Sequence, residues 1–225
     1  MGEGVKKRVL LSWSSGKDSA WALWKLRQRE DVEIVALLTT FNQAMDRVAM
    51  HAVRRALVRM QAERAGLPLW EVELPWPCSN EQYEARMAEA CRRAIEAGVE
   101  QVAFGDLYLR DVREYRERQL AGTGLEPVFP LWDVPTRGLA EAMIEAGVKA
   151  RLTCVDPRKL PREFAGRDFD RELLAALPEG VDPCGENGEF HSFVYASPAF
   201  SSSIAVRAGE VVERDGFVFA DVLPE

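Results

Sequence analysis

Ser12-Trp13-Ser14-Ser15-Gly16-Lys17-Asp18-Ser19 is the stretch that decides how the rest of the chain reads. Before it, residues 8–12 carry the apolar run Val9, Leu10, Leu11; after it, residues 18–29 are rich in Trp and Leu. The stretch therefore joins a strand to a helix. A helix opens with backbone N–H groups that have no partner inside it and with a partial positive charge, which together suit an anion. Gly16 permits close approach to the backbone, Ser14, Ser15 and Ser19 add hydroxyl donors, and Lys17 adds a charge that can follow phosphate. The common phosphate loop places Ser or Thr directly after its lysine, whereas Asp18 follows Lys17 here. The same letters also suit a serine-rich turn in which Asp18 caps the helix.

Working outward, further strands are expected at residues 33–39, 69–74 and 101–105. Between them lie two helical patterns. One has Ala49, Val53, Ala56, Leu57 and Met60 on a common face and ends near Gly66. The other opens at a capping box of Ser79 and Gln82, lines up Tyr83, Met87, Ala90, Cys91 and Ala94, and stops at Gly98. Strands alternating with helices predict an α/β fold with a doubly wound parallel sheet, whose ligands sit beyond the carboxyl ends of the strands. After residues 127–135 the pattern changes: a helix at 137–145, an alternating strand at 148–155, and two hairpins marked by Gly209-Glu210 and Asp215-Gly216. The expected division is a domain at 1–130 and a smaller mixed α+β domain at 131–225.

Composition narrows the function classes. The 225 residues are 47% apolar and 29% charged, an ordinary globular balance, and the net charge of -7 gives no strong nucleic-acid signal, because such binding rests on clustered Lys and Arg. No apolar run reaches the roughly 18–20 residues that cross a bilayer, and the N-terminus lacks a signal-peptide pattern, so a cytoplasmic protein without membrane contact is expected. Cys78, Cys91, Cys154 and Cys184 form no Cys-x-x-Cys pair and are expected as reduced, mostly buried thiols.

The loop resembles the PP-loop of ATP pyrophosphatases, usually Ser-Gly-Gly-x-Asp-Ser, with Ser15 in place of the first glycine. Three further stretches, Met50-His51-Ala52-Val53-Arg54, Gly105-Asp106-Leu107 leading to Tyr115-Arg116, and Cys184-Gly185-Glu186-Asn187-Gly188-Glu189-Phe190-His191-Ser192, are similar to those of the diphthine-ammonia ligase family. That family typically carries Gly-Glu-Gly-Gly-Glu-Tyr-Glu-Thr in the last of them; here Asn187 replaces Gly, Phe190 Tyr, His191 Glu and Ser192 Thr. The resemblance implies a PP-loop fold, ATP and Mg²⁺, and activation of a carboxylate, carried on a protein in that family, by adenylation for attack by ammonia.

On that reading the first domain binds ATP and the second binds substrate. Ser12, Ser14, Ser15, Gly16, Lys17, Asp18, Ser19, Gly105 and Asp106 are expected to bind nucleotide, with Asp18 also holding Mg²⁺. Lys17, Asp18, Glu186 and Glu189 are the expected catalytic set, the two glutamates orienting the second substrate or receiving protons from ammonium. Asp106 also suits a helix cap, and the two glutamates an exposed turn. His51 is expected as a surface or hydrogen-bonded helical residue, Arg47, Arg54, Arg55, Arg59 and Arg64 as a solvated face, and Tyr115 and Arg116 as weaker contacts. The nitrogen is expected from free ammonia or a separate donor, and homo-oligomerisation is left open. Rival readings are a tRNA-modifying or small-molecule enzyme on the same ATP domain, and a nucleotide-binding regulator without turnover.

Overall fold

The computed structural model describes residues 5–48 and 51–225. The first sheet is built around β1 (Lys7–Ser12), whose side chains alternate between two buried layers. Val9 and Leu11 pack with residues of α1 (Lys17–Arg27) and α2 (Arg55–Ala65), while Leu10 packs with α3 (Asn80–Glu96) and Leu120 of α4 (Arg110–Leu120). Both faces are thus covered, as parallel sheets require. The parallel strands run in the order β4 (Leu69–Leu74), β2 (Val32–Asn42), β1, β5 (Gln101–Ala103), β6 (Glu126–Val128). The order reverses between β1 and β5, so the crevice beyond their carboxyl ends is the switch point at which ligands bind in such sheets. This is the doubly wound layer expected from the alternation of strands and helices.

Local details differ. The second helix starts at Arg55, not near residue 49; Ala49 and Met50 lie outside the described residues. Arg47–Val48 forms a short strand, β3, antiparallel to β2 at Phe41 and Asn42, and Val48 N–H donates to the carbonyl of Val53 at 2.8 Å. Val53 and His51 therefore lie in a turn before the helix and not within it, and the helical spacing of Val53 reflects burial of that turn. Two elements carry no periodic signal. Within α4 only Leu120 is buried, and β6 contains Pro127, tolerated because β6 lies at the sheet edge.

A second sheet follows α5 (Thr136–Glu145) and is wholly antiparallel: β8 (Phe190–Ala196), β7 (Lys149–Val155), β10 (Phe217–Pro224), β9 (Val206–Arg214). A short helix, α6 (Arg171–Ala176), stands between β7 and β8 in sequence. Only one of the two expected hairpins exists, at Asp215-Gly216. Gly209-Glu210 lies inside β9, at a bulge opposite Asp221, where a Cβ on Gly209 would stand 2.9 Å from the Cβ of Asp221. Glycine inside a strand marks this close approach, not a turn.

The two sheets share one buried cluster that runs from Leu11 and Trp13 to Leu152, Val155 and Phe193. A buried glutamine ties them together. Gln61 accepts from Trp13 Nε1 at 2.9 Å and donates to the carbonyls of Ser15 at 3.0 Å and Val194 at 2.6 Å. The five arginines expected as a solvated face largely pair instead: Arg47 and Arg54 flank Asp221, and Arg55 and Arg59 hold Glu71. All four cysteines are free thiols, Cys154 and Cys184 buried and Cys78 and Cys91 half-buried.

Candidate functional site

The loop of residues 14–19 sits where β1 hands over to α1, at the switch point. Ser15 has φ 69, the left-handed region in which a Cβ costs about 1–2 kcal/mol, which accounts for glycine in the usual motif. Its carbonyl accepts from Val194 N–H at 2.9 Å as well as from Gln61, so both halves of the chain hold the strained residue in place. A Cβ on Gly16 would stand 3.2 Å from the carbonyl oxygen of Ser192, and one on Gly105 would stand 3.1 Å from the backbone of Asp18 and Ser19. Both glycines are there because backbone from another element comes close. The amides of Gly16 and Lys17 turn to the hydroxyls of Ser14 and Ser192 at 3.3 Å, long bonds that an incoming anion can replace.

Lys17 is 2% exposed. Its Nζ donates to both carboxylate oxygens of Asp18, at 2.9 and 3.1 Å, and to the carbonyl of Cys184, and it lies over the rings of Phe169 and Phe190. Burial opposes its charge, but Asp18, Cys184 and Glu186 outweigh burial and hold the ammonium above its ordinary pKa. Asp18 keeps 27% of its side chain exposed; removal from bulk water raises its carboxyl, an effect that Lys17 offsets in part.

The wall opposite is the turn of residues 182–189. Gly185 has φ 72 and an ideal Cβ there would stand 2.9 Å from the carbonyl oxygen of Phe190, so the turn requires glycine. Within it the two glutamates part company. Glu186 faces the loop and accepts from Leu107 N–H at 2.8 Å; burial, then the carboxylates of Asp18 and Asp106, push it up to about 7 against the pull of that hydrogen bond and of Lys17. Glu189 is 3% exposed and points into the turn, accepting from Asp182 N–H and Asn187 Nδ2, each at 3.1 Å.

Between the two turns lies a polar cavity of about 200 Å³. Of the residues singled out from the sequence, Ser12, Ser14, Gly16, Lys17, Asp18 and Ser19 line one side, and Gly105, Asp106 and Glu186 line the other. Ser15 and Glu189 stand behind it. Arg116 reaches the cavity and donates to Asp106 at 3.3 Å, so that carboxylate is tied to α4. His51 and His191, 140 positions apart, meet there ring against ring with centroids 4.4 Å apart. Sequence spacing gives no sign of that pair, because it depends on how the second sheet docks. A larger, mainly apolar cavity of about 590 Å³ adjoins, floored by Leu10, Leu38 and Val102 and edged by Tyr83 and Tyr115. The two cavities share Ser12, Ser14, His51, Phe104 and Arg116.

Among the described residues no three His, Cys, Asp or Glu side chains are arranged to hold a metal by themselves. Mg²⁺ asks for less, commonly one or two carboxylates with phosphate oxygens and water, and the partly exposed Asp18 on the cavity wall fits that demand. Nor is any described helix long and apolar enough to cross a membrane.

The chain is similar to the diphthine–ammonia ligase of Bos taurus, 26% identical over 238 residues that cover 96% of this chain and 88% of that protein. It is also similar to the diphthine–ammonia ligase of Danio rerio, 28% identical over 236 residues, covering 96% and 92%. Among solved structures it is similar to the U34-tRNA thiolase NcsA from Methanococcus maripaludis with its [4Fe-4S] cluster, with a TM-score of 0.39 and 15% identity over 62% of this chain and 57% of that one. Residues 7–127 match the family model of the diphthamide synthase N-terminal domain and residues 135–220 that of the diphthamide synthase C-terminal domain, so the chain belongs to the diphthamide synthase family.

Proposed function

We propose that this protein is an ATP-dependent, AMP-forming ligase that activates a carboxylate by adenylation and passes it to ammonia, with diphthine or a related carboxylate as substrate. The reading rests above all on the continuity of the two cavities. A triphosphate and a nucleoside need a polar seat and an apolar one in line, and here the polar one adjoins a helix N-terminus while the apolar one reaches the strand face. Residues 1–130 would supply the nucleotide site and residues 131–225 the wall that faces it.

In this mechanism the outer two phosphates lie against the amides at the start of α1, with Ser14 and Ser19 beside them and Lys17 as a fixed positive charge in the cavity wall. Asp18 would hold Mg²⁺, which supplies charge neutralisation on the phosphates when bound. A carboxylate oxygen of the substrate attacks the α-phosphorus, the bond to the β-phosphate breaks, and pyrophosphate leaves. Ammonia nitrogen then attacks the acyl carbon, AMP leaves, and the surplus proton passes to Glu186. A carboxyl with a pKa of about 7 is ionised just above neutrality and strong enough a base to accept it. Asp106, held by Arg116, orients the incoming group, and Glu189 shapes the turn that carries Glu186.

Incubation with ATP labelled on the α-phosphate, Mg²⁺, ammonium and candidate carboxylates tests the proposal. Labelled AMP that depends on the carboxylate is the expected product; labelled ADP would sink it.

A further inference from the structure

His51 and His191 are the two histidines of the chain, and the mechanism above uses neither. Both line the polar cavity, with their rings tilted by 41°. They come from separate parts of the fold, His51 from the turn after β3 and His191 from β8. Cε1 of His51 stands 3.6 Å from where a Cβ on Gly16 would be, which puts the ring against the phosphate loop. Nδ1 of His51 is buried and has no hydrogen-bond partner among the described residues. A buried nitrogen left without a partner is costly unless something arrives to meet it.

The groups around the pair account for its state. Lys17 and Asp18 face the cavity from α1, Asp106 from beyond β5, Arg116 from α4, and Cys184 and Glu186 from the turn before β8. Burial, then His191, hold His51 well below its ordinary pKa, with Lys17 adding to them and the Ser192 backbone opposing. Burial and Lys17 hold His191 at about 4. With the cavity free of anion, both imidazoles are neutral at pH 7. An anion placed beside them reverses the balance, because it attracts the charged form of each ring.

We propose that His51 and His191 form a proton-linked seat for a phosphate group, in which one imidazole takes a proton from solvent as the nucleotide enters and donates it in a hydrogen bond to a phosphate oxygen. The proposal rests on the nucleotide reading of the cavity. The proton comes from bulk water or buffer onto a ring nitrogen lone pair, and no covalent bond to phosphorus is involved. A group whose pKa rises on binding makes the complex hold more protons than the free components, so affinity for Mg-ATP increases as pH falls from 8 toward 6.

Calorimetric titration with Mg-ATP at pH 6.5, in buffers of different ionisation heat and corrected for the nucleotide's own titration, reads the protons taken up. Roughly one-half to one proton per nucleotide is expected for the unaltered protein. Glu186 also faces the cavity and is the competing acceptor, so three variants decide the matter. Uptake should persist in Glu186→Gln and be lost in at least one of His51→Asn and His191→Asn, with His51→Gln and His191→Gln as second choices should an Asn variant fail to fold. Uptake that vanishes in Glu186→Gln but survives in folded histidine variants overturns the proposal. Mg-ATP binding with no proton uptake at any pH overturns it and leaves the nucleotide reading standing. Absence of Mg-ATP binding, with no AMP formed, overturns both.

Discussion

The turn of residues 14–19 and the turn of residues 182–189 face each other across the same cavity, and both are glycine-bearing polar segments. They are held in opposite ways. The first is braced from outside, by Gln61 and Val194 on the carbonyl of Ser15, and its amides at Gly16 and Lys17 make only long bonds to hydroxyls. The second is braced from inside: Asp182 accepts from the amides of Cys184 and Glu186, and Glu189 accepts from Asp182 N–H and Asn187. Acidic residues three apart in one turn therefore do different jobs. Glu186 is spent on the cavity and Glu189 on the turn.

The largest effect that would sharpen this contrast is on turnover. Glu186→Gln should lower AMP-forming amidation at pH 8 by roughly 100- to 10,000-fold, and at constant free ammonia the rate of the unaltered protein should fall as pH drops below about 7 while the variant lacks that fall. Stability should move with it. Because the folded pKa of Glu186 lies above the ordinary value of 4.5, its contribution to stability declines as pH rises from 4.5 to about 7, while the lowered pKa values of His51 and His191 contribute the opposite trend. Urea unfolding at pH 5 and pH 8 should show a change from the lower to the higher pH that is more favourable in Glu186→Gln than in the unaltered protein by on the order of 2 kcal/mol.

Next in size is Lys17→Met, which leaves the Asp18 carboxylate and the Cys184 carbonyl without their shared donor. A loss of about 3 kcal/mol is expected in urea unfolding, and the companion change Asp18→Asn should recover part of it. No recovery in the double variant would mean that the pair is not coupled. Glu189→Ala should cost about 2 kcal/mol through two hydrogen bonds lost to a buried carboxylate. If instead it preserved stability and abolished turnover, the division of labour between the glutamates would be reversed. The smallest change is Ser15→Gly, expected to raise thermal stability by up to about 1 kcal/mol by relieving the left-handed backbone.

Much of the first sheet was legible because each strand there is short, apolar and followed by a helix with its own start or stop signal. The capping box of Ser79 and Gln82 forms as read, and Gly66 ends α2 in the left-handed conformation. Legibility failed where a residue's surroundings come from distant chain. Val53 looks helical because burial of a turn imitates a helical stripe, and α4 gives no periodic signal because so little of it is buried. The cavity itself was only half visible. The residues of the first loop, Gly105, Asp106 and Glu186 could be picked out by letter and neighbourhood, whereas Gln61, His51 and His191 acquire their positions only when β8 lies beside Ser15.

The bridge made by Gln61 carries one more consequence. Its amide spans the loop and β8 at once, so the loop's shape is a property of the assembled chain and not of the segment that spells it. A fragment severed at residue 130 would retain every letter of the signature yet lack the ceiling against which Ser15 is pinned, and the strained residue would be released to relax. Grafting the eight letters onto another scaffold would, for the same cause, transplant the inscription without the instrument.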